Sequence, residues 1–432
     1  MVLERPQDAR LSPWVAVLTM WIDGVISVCI VKTLGMILPT LQVQFRVNAW
    51  IIGFMVSMVA AMGSLIGPFA VLFKQCFGVG VSIIMCGALI GTAGVAASFA
   101  TSAYQLAGIL ILLAGTGMGV SSVLTKEWVA QSFQENYSTA IGIARTGSSV
   151  GFFVSSFLAQ LFLNTYGWRG VLLLTGGISF HLTVCGFLIV ATKHRYKYKP
   201  LNRNDDAGPP SSSPEDSCKP RSFVMWNYVC INLKLELLLD LHYSLVSAVY
   251  SMTLLVWSLW TIYFVSLATS NGFTTKEAAL FVSVGAVGSL FVKVLQGFYI
   301  DQILILHRES FQCLHVVMIC ICACTFYLTP IATSYWGMMT SSFVYLTADG
   351  VLVCMNDTLL KETIDVDKLV GAYGWIALQA GVLKLTFGFV PGVIYDASGS
   401  YGTAFMLIGG LHIFSLLAVT TLHFSTNDKG AK

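Results

Sequence analysis

Long apolar runs separated by short polar breaks dominate this sequence. A hydrocarbon core about 30 Å thick needs roughly 20 apolar residues per helix, and twelve runs of about this length occur along the chain. They cover residues 14–38, 49–73, 78–99, 102–123 with a continuation to 133, 137–163, 171–192, 245–268, 278–300, 313–332, 336–355, 370–394 and 403–422. The pattern predicts an all-α membrane protein with twelve transmembrane helices.

The composition excludes a water-soluble domain. Hydrophobic residues make up 56% of the chain and charged residues 10%, against about 25% charged residues in a typical soluble domain. The first run is too long for the core of a cleaved signal peptide, so we expect it to be retained as a span. A net charge of +3 without a basic face argues against a nucleic-acid partner. Most of the eleven cysteines lie in apolar runs without metal-ligand spacing, and we expect neither a metal nor a cofactor.

The composition changes abruptly between the sixth and seventh runs, where residues 193–221 are rich in proline, serine and charge. Such a segment is typical of a linker between two units. We therefore predict a six-helix half over 14–192, a linker with a membrane-surface segment over 193–244, and a second six-helix half over 245–422. Residues 1–13 and 423–432 are predicted to be tails.

The distribution of lysine and arginine predicts the orientation in the membrane. Basic loops are retained in the cytoplasm. If both termini are cytoplasmic, sixteen lysines and arginines lie in inner segments and three lie in outer segments. We therefore expect a multi-pass protein with both termini in the cytoplasm.

Six plus six helices joined by a long cytoplasmic linker resemble the major facilitator layout, which implies inverted repeats with a site at their interface. Closer matches lie within 87–177, which contains AASFATSAYQL, GTGMG, IARTGSSVG and YGWRGVLLLTGG. This stretch resembles the third-to-sixth-helix region of the monocarboxylate transporter family. The second half adds Gly297-x-x-x-Asp301 and Gly392-x-x-x-Asp396, whereas the first-half counterpart FKQCFG has no acidic residue.

Two departures mark the chain as a divergent member of that family. The acidic, glycine- and tryptophan-containing signature before the first helix is replaced by RLSPWVAV, and the basic fifth-helix motif by SFQENYSTAIGIARTGSSVG. The resemblance implies a secondary carrier that moves a small organic anion, a monocarboxylate or a related solute, by alternating access across the plasma membrane. Some relatives require a single-span glycoprotein, which makes such a protein a candidate partner here.

Eight aspartate, glutamate, lysine and arginine residues lie within the predicted spans. An ionisable residue at mid-bilayer costs roughly 2.5–3.5 kcal/mol on the lenient insertion scale, so most face a cavity or a partner. The alternative for each is a structural ion pair or a side chain that reaches toward the membrane surface. They are Asp23, Lys32, Lys126, Glu127, Arg145, Lys293, Asp349 and Lys384.

Three residues are candidates for the substrate site. Lys32 lies about 27 Å along the first helix, and the resemblance places it on the lysine that receives the substrate carboxylate. Lys293 takes the place of a substrate-pairing arginine, and Ser289, one turn earlier, takes the place of a proton-linked aspartate. Lysine attracts an anion as a point charge but lacks the two-pronged geometry of arginine.

Four residues are candidates for coupling or gating. Asp349 is the remaining carboxylate best placed to carry a proton, or else forms an ion pair with Lys293 or Lys384. Asp23 and Arg145 lie at similar depth on neighbouring helices, and we predict a pair between them. Glu127 and its neighbour Lys126 share this depth, but adjacent helical residues point about 100° apart, so only one can face a given cavity.

The loss of an acidic residue at Ser289 favours facilitated diffusion over proton symport, because a serine hydroxyl does not titrate in the physiological range. A proton remains a candidate co-substrate through Asp349.

A different class of function, a sensor that kept the transporter fold and lost transport, is the alternative. No set of catalytic residues appears within the spans, so we do not expect an enzyme.

The glycines of the fifth helix, Gly147 and Gly151 among them, are predicted to serve helix packing.

Overall fold

A computed structural model describes residues 11–46, 49–133, 135–195, 234–306 and 308–430, which are almost entirely helical. The predicted tail and linker residues 1–10, 196–233 and 431–432 lie outside this described part. In chain order the helices are α1 Leu11–Phe45, α2 Ala49–Leu65, α3 Ala70–Ser98, α4 Ala103–Ile109, α5 Thr116–Ser132, α6 Tyr137–Ser179, α7 His181–Arg195, α8 Leu241–Ser270, α9 Thr275–Leu306, α10 Arg308–Leu328, α11 Tyr335–Thr363, α12 Leu369–Phe387, α13 Val390–Ser398 and α14 Tyr401–Gly430.

The helices do not correspond one to one with the predicted spans. Some pairs of helices form one span together, and some single helices contain parts of two spans. Gly78 (φ 76°) interrupts α3 and Gly167 (φ 67°) interrupts α6, and this left-handed backbone is accessible to glycine at little cost. The breaks separate the second from the third span and the fifth from the sixth. A π-helical turn, Leu110–Gly115, joins α4 to α5, and α13 continues α12. The described residues therefore form the twelve predicted spans.

The first half consists of α1–α7 and is held together by glycine contacts. A β-carbon at Gly147 of α6 would lie 2.1 Å from the carbonyl oxygen of Trp21 in α1, and one at Gly151 would lie 3.0 Å from the carbonyl of Val25. Since neither position has room for a side chain, the two helices approach closely at both glycines. The packing role predicted for Gly147 and Gly151 is confirmed.

The second half, α8–α14, packs around aromatic side chains. Trp260 of α8 stacks on Phe264 and on Tyr345 of α11, with ring centroids 4.5 Å and 4.8 Å apart. An exposed serine, Ser334, accepts a hydrogen bond from the Gly337 amide at 3.1 Å and starts α11. This cap explains why only three residues separate two apolar runs here.

The two halves meet along two helix pairs, α6 with α9 and α2 with α12. A β-carbon at Gly142 of α6 would lie 2.3 Å from the Lys293 carbonyl oxygen, and one at Gly297 of α9 would lie 2.6 Å from that of Ser138. On the other side, a β-carbon at Gly67 would lie 2.7 Å from the carbonyl oxygen of Gly374 in α12. The space between these pairs is the place where a two-half carrier holds its substrate. We call the membrane face at which α1 begins and α7 ends the linker side.

Candidate substrate-binding site

Lys293 of α9 reaches across the interface to α6. Its ammonium donates hydrogen bonds to the Ser149 hydroxyl at 2.9 Å and the Ser148 hydroxyl at 3.2 Å, and lies 3.5 Å from the Arg145 carbonyl. The residue is 7% exposed. Hydroxyl and carbonyl oxygens satisfy its hydrogens, and among the described residues no carboxylate lies within 4.0 Å of the ammonium. The site therefore holds a buried positive charge that a negative ligand would stabilise.

Ser289 lies one turn before Lys293 and is also buried. Its hydroxyl accepts a hydrogen bond from Ser149 at 3.3 Å. Gly350 of α11 leaves room for this serine, because a β-carbon there would lie 2.7 Å from the Ser289 oxygen. The structure thus places two of the predicted site residues, Lys293 and Ser289, around the same serine of the opposite half.

Lys32 of α1 lies on the first-half side of the interface and is half-buried. Its ammonium lies 4.8 Å from the centroid of the Phe152 ring of α6, a distance typical of a cation–π contact. The Phe152 ring in turn packs edge-to-face against Trp257 of α8, with centroids 5.9 Å apart. Lys32 therefore points to the boundary between the halves rather than along α1 toward the membrane surface.

Asp349 of α11 is buried in the second half at 7% exposure. Within the described part of the chain it forms no hydrogen bond and no ion pair within 4.0 Å, although the charges of Lys293 and Arg145 act on it. The predicted alternative, an ion pair with Lys293 or Lys384, is not present as a contact within 4.0 Å among the described residues, although the charges of Lys293 and Asp349 attract each other. Instead, Lys293 turns its ammonium toward the α6 serines.

The predicted pair between Asp23 and Arg145 is wrong. Arg145 crosses to the second half, where its guanidinium pairs with Asp357 of α11, with 2.7 Å between Nη2 and Oδ2, and donates to the Tyr250 hydroxyl of α8 at 2.7 Å. Asp23 accepts a hydrogen bond from the Ser121 hydroxyl of α5 at 2.6 Å. Asp23 and Arg145 do lie on neighbouring helices at similar depth, as predicted. The direction of the arginine side chain, however, depends on its partners in the second half, and depth alone does not indicate it.

Asp357 escaped prediction because the tenth apolar run ends at residue 355, whereas α11 continues to Thr363. The residue is fully buried, and so are its neighbours Asn356 and Thr358. The apolar pair that follows, Leu359 and Leu360, was the signal in the sequence that the helix continues.

Glu127 and Lys126 point in different directions, as their adjacency on α5 requires. Glu127 is fully buried and forms an ion pair with Lys74 of α3, with 2.6 Å between Nζ and Oε1, inside the first half. Gln131 donates to the same carboxylate. Lys126 lies 5.4 Å from the centroid of the Tyr373 ring of α12. Of the two, only Lys126 faces the other half.

Several contacts close the linker side of the interface. The Asp301 carboxylate of α9 accepts hydrogen bonds from the Ser138 and Thr139 amides at 2.9 Å and 2.8 Å, and so caps the N-terminus of α6. Lys361 of α11 donates to the Phe133 carbonyl at 2.6 Å, and Tyr137 shares a hydrogen bond with Tyr373. We call this set, together with the Arg145–Asp357 pair, the linker-side gate. All of these contacts are formed in this conformation.

Two cavities lie inside the first half, close to Thr33 of α1. Their linings are mainly apolar and include neither Lys32 nor Lys293. Since Lys293, Ser289 and Asp349 are all nearly inaccessible, this conformation encloses the polar centre between the halves.

A bundle of two membrane-spanning helical halves with buried charges at their interface is the architecture of a membrane solute transporter. The chain belongs to the Major Facilitator Superfamily, which matches residues 20–383. The fold predicted from the twelve apolar runs is thereby confirmed.

Curated relatives extend the match over most of the chain. Monocarboxylate transporter 12 of Xenopus laevis is 26% identical and is covered over 77% of its length by 83% of this chain. Monocarboxylate transporter 12-B of Danio rerio is 26% identical, with 98% of this chain and 90% of that protein covered. Monocarboxylate transporter 13 of Bos taurus is 22% identical over 95% of this chain and 89% of that protein. The resemblance to a divergent monocarboxylate transporter is confirmed.

Solved structures show the same fold at low identity. The proton:xylose symporter XylE has a TM-score of 0.72 at 13% identity, with 94% of this chain and 95% of that chain covered. The human organic anion transporter MFSD10 has a TM-score of 0.69 at 13% identity, with 96% and 100% covered. At this identity they support the architecture and not the substrate.

Proposed function

We propose that this protein is a secondary carrier that moves a small organic anion, a monocarboxylate or a related solute, by alternating access. Lys32 and Lys293 attract the anionic group, and Ser289 lines the site beside Lys293. The proposal includes a plasma-membrane location with both termini in the cytoplasm.

One observation carries the proposal: Lys32 and Lys293 lie on opposite halves, and among the described residues neither has a carboxylate within 4.0 Å. A buried ammonium without a counter-ion is costly in a membrane. An anionic substrate between the halves would reduce this cost for both lysines. The names of the relatives, which are monocarboxylate transporters, support a carboxylate as the anion.

Facilitated diffusion is our proposed mode of transport. Ser289 and Ser149 form a neutral hydroxyl pair where a titrating group would be needed next to the substrate cation. Asp349 is the carboxylate through which proton symport would operate, since it is buried without a hydrogen-bond partner in the described part of the chain. Removing the charge of Asp349 by substitution therefore distinguishes facilitated diffusion from proton symport.

Alternating access requires the linker-side gate to open. The gate contacts join the first half to the second half. They connect α6 to α9, α11 and α12, and the end of α5 to α11. Rocking of one half against the other would break all of these contacts together and expose Lys293 to the linker side. Asp301, Arg145 and Asp357 would then act as gating residues. For Asp23 and Glu127, which bond within the first half, we propose that they keep the gate helices in place.

Uptake of radiolabelled pyruvate and butyrate into proteoliposomes tests the proposal. We expect saturable uptake by the wild type, and a KM at least about tenfold higher or no flux for Lys32→Gln and Lys293→Gln, because each loses a charge-assisted contact. The exposed Lys276 at the start of α9 supplies a matched control, and Lys276→Gln should leave uptake unchanged. Normal uptake by both interface variants would contradict the proposed site. Saturable binding without flux would favour the sensor alternative.

A further inference from the structure

Lys384 is a third lysine at mid-membrane depth. It lies about 22 Å along the span formed by α12 and α13, at 1.5 Å per residue, and so near the middle of the bilayer. Its ammonium donates a hydrogen bond to the Ser64 hydroxyl of α2 at 3.2 Å. Since α2 belongs to the first half and α12 to the second, this side chain points into the interface and not to lipid.

No carboxylate within 4.0 Å neutralises Lys384 among the residues that the structure describes. The charge of Lys126 also acts on Lys384, and this interaction is repulsive because both side chains are cations. Ser64 can satisfy one hydrogen of the ammonium but contributes no charge. The α2 and α12 side of the interface therefore holds an uncompensated cation, as the α6 and α9 side does.

The charges at the interface divide by depth. Near the linker side, Arg145 pairs with Asp357 across the interface, and the charge of Lys126 acts on Asp23. Within the first half, Glu127 pairs with Lys74.

Farther from the linker side, the described residues of the interface supply three cations and one carboxylate. The cations are Lys32, Lys293 and Lys384, and the carboxylate is Asp349. With Asp349 ionised, two positive charges remain unbalanced. A monocarboxylate would neutralise one of them, whereas a substrate with two negative charges would neutralise both.

We propose that Lys384 binds a second anionic group, so that the preferred substrate is a small dicarboxylate that bridges the two helix pairs. One carboxylate meets Lys32 and Lys293, and the other displaces Ser64 from Lys384. This inference rests on the proposed function, since it assigns the substrate class of the same site.

Succinate and butyrate, which share a four-carbon chain and differ in one carboxylate, test this proposal in proteoliposomes at pH 7.4. We expect the wild type to transport succinate with a KM at least about tenfold lower than that of butyrate. Lys384→Gln should raise the KM for succinate by at least about tenfold and leave the KM for butyrate within about twofold, because only the dianion loses a charge-assisted contact. Lys384→Arg should keep the preference for succinate, and Lys276→Gln should change neither KM.

Three results would overturn the inference. The first is an equal KM for the two acids in the wild type. The second is an equal loss of succinate and butyrate uptake in Lys384→Gln, with Lys384→Arg monodisperse and equally impaired, and the third is sigmoidal butyrate uptake, which would indicate two monoanions in place of one dianion. Failure of the proposed function itself gives a different result. In that case Lys32→Gln and Lys293→Gln transport both acids normally, whatever Lys384→Gln does.

Discussion

Arg145 and Asp357 form a buried ion pair that joins the two halves, with 2.7 Å between Nη2 and Oδ2. The Tyr250 hydroxyl completes the arrangement by donating to Asp357 Oδ1 at 2.5 Å and accepting from Arg145 Nη2 at 2.7 Å. Asp357 is fully buried, so its charge depends on these two partners. Any conformation in which the linker side opens must separate Arg145 from the other two residues.

The first prediction concerns this pair. Removing one partner of a buried ion pair leaves an unpaired charge, which costs about 3–5 kcal/mol. Arg145→Gln and Asp357→Asn should therefore each lower the melting temperature in detergent and the yield of monodisperse protein. The double variant should recover part of both losses, because no buried charge then remains unpaired.

Arg145→Gln combined with Asp23→Asn serves as the control for the pair, since Asp23 bonds to Ser121 and not to Arg145. We expect this second double variant to show no recovery over Arg145→Gln. Recovery with Asp23→Asn and none with Asp357→Asn would contradict the observed pairing.

The second prediction concerns the cap that Asp301 places on α6. Asp301→Ala removes a carboxylate that accepts two amide hydrogens and the Thr139 hydroxyl, and caps of this kind contribute about 0.5–2 kcal/mol. The linker-side gate should then open more often. The buried Cys354 of α11 can report this change, because opening exposes the α11 face that packs on α6.

We expect a membrane-impermeant maleimide, applied from the linker side, to label Cys354 several-fold faster in Asp301→Ala than in the parent protein, with the other ten cysteines replaced in both. Asp301→Glu retains the negative charge and should show a smaller increase. Cys354→Ala supplies the background. Unchanged labelling in Asp301→Ala would show that the cap does not hold the gate closed.

The architecture was accessible from the sequence because each span is a local property. A run of about 20 apolar residues forms a helix in lipid whatever its neighbours are, since its backbone polar groups must be satisfied within the segment. Even the narrow break at residues 333–335 was correct, because the Ser334 cap is also local. The identity of Lys293 and Ser289 as neighbours followed from helix periodicity alone.

Partners across the interface were not accessible in this way. The direction of the Arg145 side chain depends on how α8 and α11 pack against α6. A single sequence does not indicate the distances between these helices. Asp357 was missed for a second reason: hydropathy ends a span where polar residues begin, but Asn356, Asp357 and Thr358 are polar residues buried within protein. Hydropathy cannot distinguish a helix end from a polar stretch that faces another helix.

The third prediction separates packing within a half from packing between halves. A β-carbon at Gly147 would collide with the backbone of α1, 2.1 Å from the Trp21 carbonyl, whereas one at Gly142 would collide with the backbone of α9 in the other half, 2.3 Å from the Lys293 carbonyl. Gly147→Ala should therefore lower thermal stability and yield. Gly142→Ala should retain most of the stability but speed the labelling of Cys354, because the halves can move apart.

Gly177 supplies the control, because a β-carbon there meets no atom within 4 Å, and Gly177→Ala should affect neither measurement. An equal loss of stability and an equal rate of Cys354 labelling in Gly142→Ala and Gly147→Ala would contradict this prediction. The packing of α6 on α1 within the first half and on α9 between the halves would then have the same effect.

The last prediction concerns coupling. A proton-linked carrier needs a group near the substrate charge that is protonated in one state and deprotonated in another, and the Ser289 hydroxyl does not titrate in the physiological range. We therefore expect substrate uptake into sealed vesicles that contain a pH-sensitive dye to follow the substrate gradient without a matching proton movement. Asp349→Asn should leave counter-exchange of substrate intact, because Asp349 carries no proton through the cycle of a facilitator and has no hydrogen bond to lose among the described residues. If Asp349 does carry a proton, the wild type will acidify the vesicle in proportion to flux, and Asp349→Asn will abolish that acidification while counter-exchange continues. Acidification that tracks flux and survives Asp349→Asn would contradict facilitated diffusion and the role of Asp349 alike.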